Sequence, residues 1–450
     1  MIEIAKCKYD FSICVSQPVK FPCYGDLFLT DFRRGQNLNP PPSRSQGAHL
    51  PRGSGSKTQS LEPVNLRKQD SILETKTIKH ALRAAENPIL IQSRSELKSA
   101  AAAWSDSECL GLDTEFVRER TYFAHLGLIQ VSDGCSVWLV DPLSVPDLDD
   151  IVKTLENPAI TKVFHAPSED LEVLSNTLQS LPSPMVDTQL ACALLGQPLQ
   201  MGYHATAEWL LNVPVAKDLT RSNWIARPLP FAQLRYAALD VCLLPLMWTM
   251  LDERLKILGR ETWMVEDCAR QLTKASAPTD LDQLWLRFRG IGRLDGQQLA
   301  ILKSLAIWRD EEARIRNLPR GFVVPDAVLM QIATDRVHET EDLKNISGMH
   351  SKALERLGTR ICQLVCKIIQ SGTEIEPVPP LTAQERGELA VLRAKVKDLS
   401  GELELDPAVL ATKRELEMLV RSGPLCQIPP RLSGWREQVM TRKLLNIMGH

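Results

Sequence analysis

The sequence predicts an α/β domain followed by all-α modules, and three observations carry that prediction. From about residue 88 to residue 168, apolar runs of strand character alternate with stretches of helical periodicity. Beyond that point helical patterns dominate. Two proline-bearing stretches, Ala275-Ser-Ala-Pro-Thr279 and Glu374-Ile-Glu-Pro-Val-Pro-Pro380, punctuate the later part. Strands that alternate with helices build a sheet covered by helices, whereas helices alone bury their apolar stripes on one another. A chain of 450 residues exceeds one core and calls for two to four domains.

Each element follows from its own residues. Residues 1–85 carry Asn39-Pro-Pro-Pro-Ser43 and Gly53-Ser-Gly-Ser56 with little apolar periodicity, so they are expected to form a disordered extension. Glu3 and Asp10, with no apolar core or small-residue cleavage site, argue against a targeting peptide. Pro88–Gln92 reads as a strand, and Ser93 as the cap of a helix running to Trp104 with Leu97 and Ala100–Ala103 on its apolar face. Strands are expected at Cys109–Val117, Leu126–Ser132 and Val137–Asp141, the last two joined by a turn at Asp133-Gly134. A helix at Asp147–Glu156, a strand at Lys162–His165 and a helix capped by Ser168 follow. Pro245 removes a helical hydrogen bond and clashes with the carbonyl four residues back, so a kink is expected after Asp240.

Composition excludes several classes of protein. A formal net charge of −2 means that nucleic-acid contacts must come from local clusters. Eleven cysteines without a C-x-x-C pair suit reduced thiols in a cytoplasmic protein better than a disulfide framework or zinc site. The most apolar stretch, Tyr236–Leu251, contains Asp240 and Pro245 and is not expected to cross a membrane. No obligate protein partner is evident.

Three short elements carry chemistry. In Leu112-Asp-Thr-Glu-Phe116, strand alternation puts Asp113 and Glu115 on one face and Leu110, Leu112, Thr114 and Phe116 on the other. Two carboxylates this close repel unless a cation lies between them. A hard divalent ion suits oxygen ligands, although a solvated edge would also carry such a pair. In His165-Ala-Pro-Ser-Glu-Asp-Leu171, Asp170 falls in the first turn of a helix, where the helix dipole alone would favour it. His165 reads as a structural neighbour. In Tyr236-Ala-Ala-Leu-Asp240, the i,i+4 spacing turns the tyrosine and the aspartate the same way amid apolar residues, where a buried carboxylate needs a partner.

Together these elements resemble the DEDD exonuclease superfamily, tyrosine branch, and within it ribonuclease D. The resemblance runs from about Pro88 to the C-terminus. It rests on Leu112–Arg118 with Thr121-Tyr122, Leu126–Gln130, His165–Glu172, Asp187-Thr-Gln189, Trp224 with Arg227-Pro-Leu229, and Tyr236–Val241. It implies a ribonuclease H-like mixed sheet with flanking helices over residues 86–270. It also implies a 3′–5′ exoribonuclease in which Asp113, Glu115, Asp170 and Asp240 hold two divalent ions, Mg²⁺ or Mn²⁺. Tyr236 would orient the attacking water, and transfer-RNA precursors are the implied RNA. Phe116, Tyr122, Trp224 and Arg227 are candidate substrate contacts. Asn223, where relatives often carry Asp, and Ala124, where Pro is usual, depart from the family pattern.

Residues 280–371 resemble a helicase-and-RNase-D C-terminal (HRDC) domain through Leu299–Arg309, Ile315–Pro319, Gly321–Pro325 and Leu343–Gly348. Residues 380–450 resemble a second, divergent copy, with Ser433-Gly-Trp-Arg436 as the clearest match. Arg287, Arg289, Arg293, Lys303, Arg309, Arg314, Arg316 and Arg320 form a basic stretch suited either to phosphate contacts or to ordinary ion pairs. Removing residues 280–450 is expected to weaken binding of structured RNA more than hydrolysis of short oligomers. A DNA 3′–5′ exonuclease and a non-catalytic RNA-binding adaptor are the rival readings.

Overall fold

The structure, a computed structural model, describes residues 68–215, 222–423 and 427–449. Of the extension expected to be disordered, residues 1–67 lie outside the described residues. The rest of it is a helix, α1 (Lys68–Glu86), which corrects that reading. Its last turns bury Ala81 and Ala85, and Glu86 accepts from Nε and Nη2 of Arg235 at 2.7 and 2.6 Å.

The α/β part is a six-stranded mixed sheet in the order β1-β4-β3-β2-β5-β6. Its strands are β1 (Ile89–Ile91), β2 (Cys109–Val117), β3 (His125–Ser132), β4 (Val137–Val140), β5 (Thr161–Phe164) and β6 (Met185–Asp187). β2, β3 and β4 form an antiparallel meander, while β1, β5 and β6 join as parallel neighbours. The turn at Asp133-Gly134 has the expected chemistry, since Asp133 Oδ1 accepts from the N–H groups of Cys135 and Ser136. Helices α2 (Arg94–Trp104), α3 (Asp149–Glu156), α4 (Ser168–Leu178), α5 (Thr188–Leu194) and α6 (Tyr203–Leu211) interleave with the strands. α7 (Phe231–Cys242), α8 (Leu244–Ile257) and α9 (Glu261–Ser276) follow.

Ser93 and Glu96 close the capping box at the start of α2, whose buried face is Leu97, Ala100 and Trp104, with Ala102 and Ala103 exposed. At α4 the expected cap is corrected: the N-cap is Pro167 and Ser168 is the first helical residue. The entry turn is held instead by Asp187, whose Oδ1 accepts from the Ala166 N–H at 2.9 Å while Ala166 takes a left-handed φ of 58°.

α7 and α8 are separated at Leu243, with Pro245 in the first turn of α8, as the position of the proline requires. By length and composition Phe231–Ile257 would suffice to cross a membrane, but half of its most apolar window is buried in the protein. The α7–α8 joint presses on β2. A Cβ at Gly111 would stand 2.8 Å from Leu244 Cβ and 2.9 Å from the Val241 carbonyl, so this position takes glycine.

The helical part repeats itself. α10 (Gly296–Ile315), α11 (Arg320–Val323) and α12 (Asp326–Asp335) have 20, 4 and 10 residues. After α13 (Thr340–Leu343) and α14 (Ser351–Ser371), the lengths 20, 4 and 10 recur in α15 (Ala383–Glu402), α16 (Pro407–Leu410) and α17 (Lys413–Ser422), before the final α18 (Arg442–Ile447). Each 20-residue helix is followed two residues on by a left-handed residue, Asn317 (φ 49°) and Glu404 (φ 54°).

The two copies join the sheet domain differently. Residues 284–365 form a core of their own. The apolar residues of α15–α18 instead share one continuous core with the sheet domain. Trp435 stacks on Trp263 at 4.2 Å, and buried Arg436 makes a two-pronged pair with Asp267 at 2.6 and 2.7 Å. Arg260 bridges the carbonyls of Leu194 and Leu403. The last module is therefore not a detachable appendage, and removing residues 280–450 would strip α9 of its covering.

Candidate active site

Strand β2 places the first two carboxylates. Leu110, Leu112 and Thr114 are buried on one face, while Asp113 and Glu115 are half-buried on the other, as alternation requires. A bulge between Glu115 and Phe116 then bends the strand out of register. Asp170, in the first turn of α4, is drawn to the same strand. Its Oδ1 accepts from the backbone N–H of Thr114 at 3.1 Å and from the Thr114 hydroxyl, and its carboxyl is also hydrogen-bonded to Asp113. α7 packs across β2, β3 and β4 and brings Tyr236 and Asp240 over the strand. The Tyr236 hydroxyl donates to the Asp240 carboxylate. Tyr203 Oη donates to the Leu239 carbonyl at 2.7 Å, which pins the turn that carries Asp240.

The electrostatics record the convergence. Burial, then Asp170, Asp240 and Glu115, push the Asp113 carboxyl well above the usual range. Burial with Asp240 and Asp170 pushes Glu115 up to about 8. Burial raises Asp240 to about 7, against the lowering effect of the Tyr236 hydrogen bond. Burial raises Asp170 as well, opposed by its bonds from Thr114 and Asp113. The Tyr236 hydroxyl is raised by burial and by Asp240 and Glu115, which keeps its proton on at neutral pH. The largest influences on these four carboxyls include no lysine or arginine. Among the described residues no three His, Cys, Asp or Glu side chains stand together as a ready-made metal cage. Instead, burial raises all four carboxyls, and like charge adds to the rise at Asp113 and Glu115. An all-oxygen, uncompensated set fits a hard divalent cation.

The other expected site residues have different fates. Arg227 has no donor left for a phosphate. Its five N–H groups go to both oxygens of Asp141 and to the carbonyls of Gly127, Trp224 and Ala226. This strut clamps the Trp224 loop to β3, where a Cβ on Gly127 would stand 2.5 Å from the Trp224 carbonyl oxygen. Trp224 is buried, with its ring 6.2 Å from that of Tyr236, so it packs behind the tyrosine. Tyr122 docks on the next domain. Its hydroxyl donates to Asp310 Oδ1 and accepts from Arg314 and Arg320, while Asn317 Oδ1 accepts from the N–H groups of Tyr122 and Phe123. Phe116 remains half-buried at the site with Arg118 5.9 Å from its ring. His165 uses both ring nitrogens, against Thr188 Oγ1 and the Met201 carbonyl, which fits a structural role.

Much of the basic stretch is consumed in ion pairs. Arg309 pairs with Asp326, Arg314 and Arg320 with Asp310, Arg316 with Glu312 and Lys303 with Asp282. Arg287, Arg289 and Arg293 stay exposed. Sequence reasoning missed two supports of the site. Thr114 was placed only on the face opposite the two acids, with no task of its own. Asp187 caps α5 through the Gln189 N–H, holds the turn before α4, and accepts from Gln271. The Asp187-Thr-Gln189 motif marked the second without disclosing its task.

A family model for 3′–5′ exonucleases matches residues 88–256, and one for the HRDC domain matches residues 298–365. Ribonuclease D of Pseudomonas paraeruginosa is 36% identical over 365 residues, covering 80% of this chain and 96% of the relative. Ribonuclease D of Escherichia coli is 31% identical, covering 80% and 98%. The crystal structure of E. coli RNase D, described as an exoribonuclease involved in structured RNA processing, superposes with a TM-score of 0.75 at 30% identity, covering 81% of this chain and 99% of that one. The catalytic core of RRP6 from Trypanosoma brucei shares the fold, with a TM-score of 0.51 at 20% identity. The sheet domain is thus an exonuclease of the 3′–5′ class, and an HRDC domain follows it along the chain. Within that class the chain belongs to the ribonuclease D family, and it is an exoribonuclease. Membership carries dependence on divalent metal.

Proposed function

We propose that this enzyme trims the 3′ ends of structured RNA, transfer-RNA precursors among them, with Asp113, Glu115, Asp170 and Asp240 holding two Mg²⁺ or Mn²⁺ ions. The observation that carries the reading is the bond from the Thr114 N–H to Asp170. It ties the third carboxylate to the residue between the first two. When bound, such ions supply an acidified water and charge relief on the departing oxygen. The protein's own part is positional. Thr114 sets the Asp170 rotamer, Tyr203 and Trp224 set α7, and Tyr236, protonated and anchored on Asp240, orients the attacking water. A tyrosine with a raised pKa is a poor base, which favours orientation over proton acceptance.

The involvement of the E. coli enzyme in structured RNA processing supports structured RNA as substrate. The recurring helix lengths and left-handed residues support reading residues 380–450 as a second HRDC-like module. Free thiols among the described cysteines agree with a cytoplasmic setting. The decisive experiment incubates the protein with a 3′-extended transfer RNA and with a DNA oligomer of matching sequence, each in Mg²⁺ or EDTA. Stepwise shortening of the RNA in Mg²⁺ alone is expected. Equal or faster loss of the DNA would transfer the assignment to a DNA exonuclease, and no shortening of either would favour the adaptor.

A further inference from the structure

Gln130 is a costly residue for its position. It sits in the middle of β3 with no exposed surface, and neither its carboxamide oxygen nor its nitrogen has a hydrogen-bond partner in the protein. Its neighbours Leu128, Ile129 and Val131 are apolar and equally buried, so an aliphatic side chain would satisfy the core without leaving polar atoms unmet. A buried amide held at such a cost points to a partner that the resting arrangement of side chains does not provide.

Sheet register identifies that partner. Gln130 is paired directly with Asp113 of β2 on one side and with Leu139 of β4 on the other. Residues opposite one another in antiparallel strands point to the same face, with Cβ atoms about 4.5–5.5 Å apart. The Gln130 side chain therefore leaves the sheet beside Asp113. On the other flank stands Leu139, with nothing polar in its side chain. α7, which carries Tyr236 and Asp240, packs on β3 beside this pair.

We infer that Gln130 is a positioning residue for Asp113: once a divalent cation draws the Asp113 carboxylate into place, the Gln130 amide N–H, unpartnered in the metal-free arrangement, donates to that carboxylate and fixes its orientation. The inference rests on the proposed role of Asp113 as a metal ligand. Partners of this kind set the rotamer and basicity of a ligating group, and their loss typically weakens metal affinity about 10–100-fold.

The test uses the full chain and MnCl₂ as the probe, with Gln130→Met, Gln130→Leu and Asp113→Asn measured beside the wild type. Mn²⁺ affinity is read by titration calorimetry, and the unfolding midpoint in EDTA by circular dichroism. Both Gln130 variants are expected to bind Mn²⁺ about tenfold more weakly or worse while unfolding in EDTA at the wild-type temperature or above it. Unchanged Mn²⁺ affinity in a folded Gln130 variant, with affinity lost in Asp113→Asn, overturns the role of Gln130 and spares the metal site. Wild-type affinity in Asp113→Asn overturns both. A lowered midpoint in EDTA, or failure of both Gln130 variants to fold, shows that the amide serves the fold itself and also overturns the inference.

Discussion

Replacing Asp240 by Asn should make the metal-free enzyme more stable at alkaline pH while abolishing hydrolysis. The Asp240 carboxyl is raised from 3.8 to about 7 in the folded protein, chiefly by burial. A carboxyl whose folded pKa lies above its unfolded one contributes no penalty below pH 4. It destabilises the fold progressively as pH rises toward 7, and the full penalty persists above that. About three pKa units at about 1.4 kcal/mol each give a penalty of about 4 kcal/mol at pH 8, of which about 2–3 kcal/mol develops between pH 5 and pH 8. Asparagine keeps the shape and removes the titration. Urea unfolding in EDTA at pH 5 and pH 8 measures the difference, and degradation of 5′-labelled RNA in Mg²⁺ measures activity. Wild type should weaken between the two pH values, the variant should weaken less, and saturating Mg²⁺ should restore the wild type at pH 8. Equal pH dependence of the two proteins in EDTA would refute the electrostatic reasoning, and retained hydrolysis would remove Asp240 from the metal site.

Other outcomes follow from the same geometry. Tyr236→Phe should slow turnover about 10²-fold with Mn²⁺ affinity little changed, because only the orienting hydroxyl is lost; undiminished turnover of a 5′-labelled oligomer would exclude it from the reaction. Arg227→Ala should cost about 3–5 kcal/mol in urea unfolding, since it strands a buried Asp141 whose carboxyl burial would raise but whose Arg227 and Ser144 bonds bring it down to about 2; a change in RNA affinity with stability intact would return it to the substrate contacts. Removing residues 380–450 should give aggregated protein, because it bares the apolar side of α9 and leaves Asp267 without Arg436. A monodisperse, active product on gel filtration would contradict the shared core.

Identifying 3′–5′ polarity required the family, since four carboxylates do not state from which end a strand is cut. The arrangement of the carboxylates was more accessible. Asp113 and Glu115 share a face by strand alternation alone, and Tyr236 and Asp240 share one by helix spacing. That Asp170 completes the set depended on a bond across 56 residues, to a backbone N–H that every non-proline residue owns and no sequence pattern marks. The candidate contacts around the site show the same limit. Tyr122 and Arg227 looked available because aromatic and cationic side chains suit nucleic acid. In the folded chain Asp310 and Asp141 claim them first, across 188 and 86 residues.

What the sequence by itself determined is whatever repeats within a few residues: strand and helix periodicity, the helix cap at Ser93, the break at Pro245, and the pairing of acids on one strand and of tyrosine with aspartate on one helix. What only the tertiary structure decided is who meets whom. The last helical module fused with the sheet domain while the preceding one kept its own core, and a glutamine on β3 came to lie unpartnered beside Asp113. The reason is physical. Local periodicity follows from backbone geometry shared by every helix and strand. A salt bridge or a buried contact picks one partner from dozens of chemically equivalent side chains, and only the packed chain makes that choice.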